Sequence, residues 1–402
     1  MKYRIGPSKA KGVVTAPPSK SMAHRLLICA ALSKQTSIIQ NIEYSEDILA
    51  TIDCLKALGA DIKVGAEKVE IKGIIDCKSD ICLKVRESGS TLRFLIPIAL
   101  LTGQKLTFIG SERLMQRPLY VYKRICTEQG IDFNIKNNEL SLQGKLKAGV
   151  FNIEGNISSQ FITGLLFALP LLEKDSQINI LPPFESKPYV LMTIDAMKKF
   201  GVNVELKDNS IYIKGNQEYI GCNQRVEGDW SNAAFLDAFN FIGGSVRVNG
   251  LNEDSLQGDK QYKEIFEKLK AENAQIDLSD CPDLGPIAMA LAYKNGATFN
   301  GTARLKLKES DRCRAMADEL MKFGIRSSVQ DNTMTVYKGE IRKPALAIES
   351  HNDHRIAMSM TVLLTVCGGE INGAQAVSKS FPSFFEEIKK LGIEVIKYGS
   401  DL

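Results

Sequence analysis

The chain has 402 residues, with 51 Lys and Arg against 47 Asp and Glu, a net charge of +4. That near-neutral balance excludes the broad basic face of a nucleic-acid-binding protein. Apolar residues at 44% and charged residues at 24% exclude bulk disorder, and the length predicts two or three domains with cores of their own.

The first residues, Met1-Lys2-Tyr3-Arg4-Ile5-Gly6-Pro7, have charges but no apolar segment behind them, so no signal peptide is expected. The apolar stretches 94–104 and 157–172 are too short for a bilayer and contain prolines. The 9 cysteines, Cys77 among them, form no C-x-x-C pair, and 3 histidines give no zinc spacing. Scattered thiols fit a reducing compartment, and the expected location is the cytoplasm.

Along the chain, small, capping or polar residues open apolar helices at Ser19, Ser88, Ser158, Asp229, Pro282 and Asn352, at intervals of 69, 70, 71, 53 and 70. A second series runs in phase. Helix-ending turns centred on Gly59, Gly130, Gly201, Asn273, Gly324 and Gly392 lead into strand patterns, at intervals of 71, 71, 72, 51 and 68. Asn137-Asn138 and Asp208-Asn209 are hairpin signals. Two series in phase predict six α/β units of roughly 70 residues, the fourth one short. Each carries one all-apolar helix, which must be buried, and one amphipathic helix. The expected fold is therefore α/β, two domains of three units each, with buried apolar helices and small sheets outside. The first domain spans 19–226, and the second combines 1–18 with 227–402. The crossovers fall near 17–19 and 225–229.

Chemistry-bearing residues gather at one phase of the repeat. Helix starts present free N–H groups and a positive dipole end, a ready anion site. There stand Lys20, Ser21 and Arg25 in the first unit, Ser158, Ser159 and Gln160 in the third, Asp283 in the fifth, and His354 and Arg355 in the sixth. The loops before the amphipathic helices add Arg117, Lys187, Lys308, Arg312 and Lys379. Taken singly, the serines read as N-caps, Lys308, Glu309 and Arg312 as a solvated face, and Asp353 with His354 as a capping pair. Their common phase favours a small cationic cleft for phosphates. No glycine-rich phosphate loop follows a strand, so nucleotide binding is not supported.

These segments resemble the EPSP synthase (3-phosphoshikimate 1-carboxyvinyltransferase) family of enolpyruvyl transferases. The resemblance rests on Pro18-Ser19-Lys20-Ser21-x-x-x-Arg25, Arg113-Leu114-Met115-x-Arg117-Pro118, Ser158-Ser159-Gln160-Phe161 and Ser186-Lys187-Pro188-Tyr189. It continues through Pro282-Asp283, Lys308-Glu309-Ser310-Asp311-Arg312, Asn352-Asp353-His354-Arg355 and Lys379-x-Phe381-Pro382, all in the family's order. It implies the family's inside-out α/β barrel architecture. The implied reaction moves the enolpyruvyl group of phosphoenolpyruvate to the 5-hydroxyl of shikimate 3-phosphate, releasing phosphate, with no metal or organic cofactor. The product belongs to the shikimate pathway to chorismate and aromatic amino acids.

Carried over by the resemblance, Lys20, Ser21, Arg25, Ser158, Ser159, Gln160, Ser186, Asp283 and Lys308 hold shikimate 3-phosphate. Lys20, Gly89, Arg117, Gln160, Arg312, Arg355 and Lys379 hold phosphoenolpyruvate. Asp283 is the implied base at the 5-hydroxyl, and Glu309 or Lys20 the proton carrier at C3. The chain departs from the family at Glu87-Ser88-Gly89-Ser90-Thr91, where N-[AS]-G-T is common, and at Arg304, where Asn is common; Glu87 and Arg304 are left outside the site. The alternatives are the sister transferase acting on UDP-N-acetylglucosamine and a non-catalytic anion binder on the same scaffold. The sister family's Lys-Asn start and loop cysteine are missing, since this chain has Lys20-Ser21 and no cysteine in 111–116. The expected protein acts on two small-molecule substrates as a monomer, with no nucleic-acid or membrane partner.

Overall fold

The computed structural model describes residues 1–73 and 80–398; Cys77 lies outside the described residues. The chain forms two compact units, Lys20–Glu227 and a composite of Met1–Ser19 with Gly228–Leu402. Each has its own hydrophobic core.

The repeat has a definite structure. In the third unit the strand Val150–Glu154 leads into the helix Ser159–Ala168, then the strand Ser176–Leu181 and the helix Lys187–Lys199. A hairpin, Val204–Lys207 with Ser210–Ile213, follows. The first two strands pair in parallel, and the hairpin's second strand joins them antiparallel. Five sheets of four strands share this order, and none closes into a barrel among the described residues. Both signalled two-residue turns are present, with Asn137 at φ 54° and Asp208 at φ 51°.

The short fourth unit lacks its hairpin. It keeps the parallel pair Lys11–Thr15 with Ser245–Asn249, flanking the helix Trp230–Phe241. After the helix Tyr262–Lys268, the Asn273 turn opens the strand Ala274–Asp277. That strand already pairs in parallel with Ala297–Asn300, as the lead strand of the fifth unit. Among the described residues the sixth unit's last strand is Val395–Tyr398, and Lys2–Ile5 completes its sheet.

The first helix of each unit is buried on every side because its sequence offers no polar face. In Lys20–Leu32 every residue from Met22 to Ala31 is buried, and in His354–Cys367 every residue from His354 to Thr365. Each large apolar side chain so placed contributes about 1.5–3 kcal/mol. The second helices bury one stripe only, as Arg312–Lys322 does with Cys313, Ala315, Met316 and Leu320. A buried helix can show its polar residues only at its ends. The fold thus gathers chemistry at helix starts.

Candidate active site

The expected site residues fall into two groups, one in each unit.

In the unit Lys20–Glu227, Lys20 opens the first buried helix and its Nζ meets Asp47 Oδ2 at 2.7 Å. One turn on, Arg25 is buried at 3% exposure. Its Nε donates to Thr193 Oγ1 at 2.9 Å, Nη1 to the Ser21 carbonyl at 2.6 Å, and Nη2 to the Tyr189 carbonyl at 2.9 Å. Burial pulls its pKa down to about 10, so it stays charged at neutral pH. Ser186 sits in the left-handed region at φ 55°, and its carbonyl accepts from Tyr189 N, which ties it to the Arg25 corner.

The second and third buried helices start side by side. Ser88 caps one, its Oγ accepting from Thr91 N, and Ser158 caps the other, accepting from Gln160 N. Ser159 follows in the first turn, buried. Gln160 accepts from Arg93 Nη1 at 3.0 Å and donates to Ser90 Oγ at 3.1 Å. Gly89 lies under two guanidinium groups. A Cβ there would meet Arg117 Nη1 at 2.8 Å and Arg93 Nη1 at 2.9 Å, so only glycine lets the cations approach the helix start this closely. Gly89, Arg117 and Gln160 are thus brought together, with Arg93 as the link that sequence reasoning missed. Its signal was present: it is the only charged residue in the apolar helix Gly89–Ala99.

In the composite unit, Asp283 is the hub. It stands in the turn Pro282–Leu284, just ahead of the buried helix Gly285–Leu291. Its Oδ1 accepts from Arg312 Nη1 at 2.8 Å and Lys308 Nζ at 3.2 Å, and its Oδ2 from Arg355 Nη2 at 2.9 Å. Burial pushes its pKa up, but Arg355, Lys308 and Arg312 outweigh this and hold it well below the ordinary carboxylate range. Burial lowers the pKa of Lys308 against the pull of Asp283.

Arg312, 1% exposed, spreads its guanidinium over three carboxylates. Besides Asp283 it reaches Asp353 Oδ2 through Nε and Glu309 Oε2 through Nη2, both at 2.8 Å. Burial disfavours its charge, but Asp353, Glu309 and Asp283 together raise its pKa. Asp353 also caps the helix His354–Cys367, accepting from Arg355 N at 2.9 Å. The capping role read from the sequence therefore holds, and an ion pair is added to it. Arg355 Nη1 donates to Ser231 Oγ at 2.6 Å. Lys379 donates to the Asn352 carbonyl at 2.5 Å, beside this cluster. Asp283, Lys308, Glu309, Arg312, Arg355 and Lys379 thus share one neighbourhood.

Asp47, Asp353 and Ser231 were missed as partners because a spacing pattern shows cations without the acceptors that hold them. Arg304 is buried in the turn Ala303–Leu307, donates to the Ser279 carbonyl, and depresses the pKa of neighbouring Lys308. Glu87 precedes the Ser88 cap. No helix among the described residues is long and apolar enough to cross a membrane.

A sequence profile described as EPSP synthase (3-phosphoshikimate 1-carboxyvinyltransferase) matches residues 5–388. The 3-phosphoshikimate 1-carboxyvinyltransferase of Clostridium perfringens is 43% identical, covering 97% of this chain and 98% of its own. That of Clostridium acetobutylicum is 42% identical, covering 98% and 97%. The solved EPSP synthase of Acinetobacter baumannii superimposes with a TM-score of 0.80 at 23% identity, over 98% of this chain and 100% of its own, a likeness of fold. The chain belongs to the EPSP synthase (3-phosphoshikimate 1-carboxyvinyltransferase) family.

Proposed function

We propose that the protein transfers the enolpyruvyl group of phosphoenolpyruvate to the 5-hydroxyl of shikimate 3-phosphate and releases phosphate. The observation that carries the reading is the Asp283 centre: one half-buried carboxylate held by Lys308, Arg312 and Arg355 within 3.2 Å. A simple anion-binding surface gains nothing from a carboxylate placed among its cations. A transferase needs one, because the attacking hydroxyl must give up its proton.

The electrostatics suggest when that base acts. With three cations on it, Asp283 is a poor proton acceptor. Phosphoenolpyruvate brings a carboxylate and a phosphate, and Arg312, Arg355 and Lys379 bind them. As those cations turn to the substrate, Asp283 loses its stabilising partners and gains basicity. Arg312 also releases Glu309, whose carboxylate, without that cation, takes up a proton more readily and can then pass it to C3; Lys20 is the other carrier of that proton. Arg117, Gly89 and Gln160 complete the phosphoenolpyruvate ligands. Lys20, Ser21, Arg25, Ser158, Ser159, Gln160, Ser186, Asp283 and Lys308 hold shikimate 3-phosphate, with Ser158 and Ser159 donating to its phosphate and helix N–H groups in support. Guanidinium groups suit both jobs because their paired N–H donors match carboxylate and phosphate oxygens.

In this reading the protein works as a cytoplasmic monomer on two small anions, in the route to chorismate and aromatic amino acids. It has no nucleic-acid partner, which the net charge of +4 supports. The deciding measurement is phosphate release from phosphoenolpyruvate with and without shikimate 3-phosphate. Release only with shikimate 3-phosphate is expected. Release with UDP-N-acetylglucosamine instead would overturn the assignment.

A further inference from the structure

The steps above make no use of Asp259, yet it lies among the charges that matter. It stands in the short turn Gly258–Gln261 and is 5% exposed. Gln257 fixes that turn, donating to the Gly228 carbonyl at 2.8 Å and accepting from Trp230 N at 3.1 Å. The Asp259 carboxyl hydrogen-bonds Ser231, in the first turn of the helix Trp230–Phe241. The Ser231 oxygen already accepts from Arg355 Nη1 at 2.6 Å, so its single proton is the one it offers to Asp259. Arg355 in turn donates through Nη2 to Asp283 at 2.9 Å. A continuous chain results: Asp259, Ser231, Arg355, Asp283.

We propose that Asp259 is a positioning residue that sets, through Ser231, how much of the Arg355 charge is available to phosphoenolpyruvate, and that it makes this binding depend on pH. The proposal rests on the reading of Arg355 as a phosphoenolpyruvate ligand. The charged and titratable groups facing Asp259 are Asp283, Arg355, Asp229 and Cys281. Burial and the charge of Asp283, with a smaller push from Asp229, raise its pKa to about 7 against the pull of Arg355 and Ser231. The Cys281 thiol is pushed well up, by burial first, and stays neutral. Below about 7, Asp259 is a neutral acid and Asp283 alone draws on Arg355. Above it, two carboxylates compete for one guanidinium, and the added negative charge repels an incoming anion. Affinity for phosphoenolpyruvate therefore falls as pH rises.

The test measures KM for phosphoenolpyruvate and kcat, at saturating shikimate 3-phosphate, from one pH unit below to one above about 7. Wild-type KM should rise at least about threefold, as expected for a unit charge several ångströms from an anion, while kcat changes less. In Asp259→Asn the rise should vanish. The last proton of the substrate phosphate titrates near 6 and affects both proteins alike, so it cancels in the ratio. Ser231→Ala keeps Asp259 but cuts its link to Arg355 and removes a hydrogen bond that lowers its pKa, so the rise should shrink and move to higher pH. This second variant keeps the test decisive where Asp259→Asn does not fold. Superimposed KM profiles for wild type and Asp259→Asn overturn the inference, as does a Ser231→Ala profile that does not move. A wild type that releases no phosphate with shikimate 3-phosphate fails at an earlier point, overturning the functional reading and this inference with it.

Discussion

Asp283→Asn probes the centre of the site with little change of volume. It removes one negative charge from contact with Arg312 at 2.8 Å, Arg355 at 2.9 Å and Lys308 at 3.2 Å. Removing one partner from a buried charge cluster costs about 3–5 kcal/mol. For a unit of this size each kcal/mol moves the melting temperature by about 2–4 °C, so the ligand-free protein should melt about 6–20 °C lower. The Asn carbonyl still accepts one hydrogen bond, which places the loss toward the lower end. Turnover should fall by about 10²–10⁴, the usual contribution of a general base. Binding should move the other way. The cations, no longer shared with a fixed carboxylate, hold phosphoenolpyruvate as tightly or more tightly, and the ligand should restore much of the lost stability. Phosphate release gives kcat, calorimetry the affinity, and thermal melts with and without ligand the linkage. A variant that turns over within about threefold of wild type would remove Asp283 as the base. An unchanged melting temperature would refute the ion cluster itself.

Other tests follow from single contacts. Arg25→Ala should weaken shikimate 3-phosphate at least about tenfold, since a charge-assisted hydrogen bond is worth about 1.5–3 kcal/mol; unchanged affinity by calorimetry removes Arg25 from the site. Gly89→Ala forces its Cβ against Arg117 and Arg93, each within 2.9 Å, and should raise KM for phosphoenolpyruvate far more than it lowers the melting temperature. His351 meets Glu319 Oε1 at 2.8 Å, and that hydrogen bond raises its pKa against burial. A raised histidine pKa gives stability that is complete below the unfolded value, about 6.5, and is lost as pH rises through the folded value. Melting of wild type should therefore decline more steeply than that of His351→Gln from about pH 6 to about pH 8; parallel curves count against the pair.

The helix starts were legible because two independent series, one of caps and one of glycine turns, run in phase. The missing hairpin was legible only as an interval of 51 instead of 71. The sequence around Asn273 shows helix, turn and strand in either case. What distinguishes a hairpin from a lead strand is its partner, Ala297–Asn300, and pairing between distant segments leaves no local mark. The capture of Lys2–Ile5 by the last sheet was hidden for the same reason. At the site, cations stood out as charges at apolar helix starts. What they hold did not. Arg25 reads as a ligand-binding charge, yet three of its N–H groups serve Thr193, Ser21 and Tyr189. Asp353 reads as a cap and is also the partner of Arg312.

The Lys2–Ile5 strand has a consequence for how the chain is made. Its Tyr3 stacks on Phe385 at 4.3 Å and pairs across to Ile371 on one side and Lys397 on the other. A ribosome delivers Lys20–Glu227 as one uninterrupted stretch, so that unit can fold while synthesis continues. The first strand must wait. At about 5–20 residues per second, the residues from Ile5 to Gly369 take about 20–70 s to appear, and until then both strand edges lie open to wrong partners. The middle of the chain therefore folds first and the two ends close together last. A nascent chain stalled before Gly369 has all the groups around Lys20, Arg25 and Gly89, but the unit that supports Asp283 has no completed last sheet.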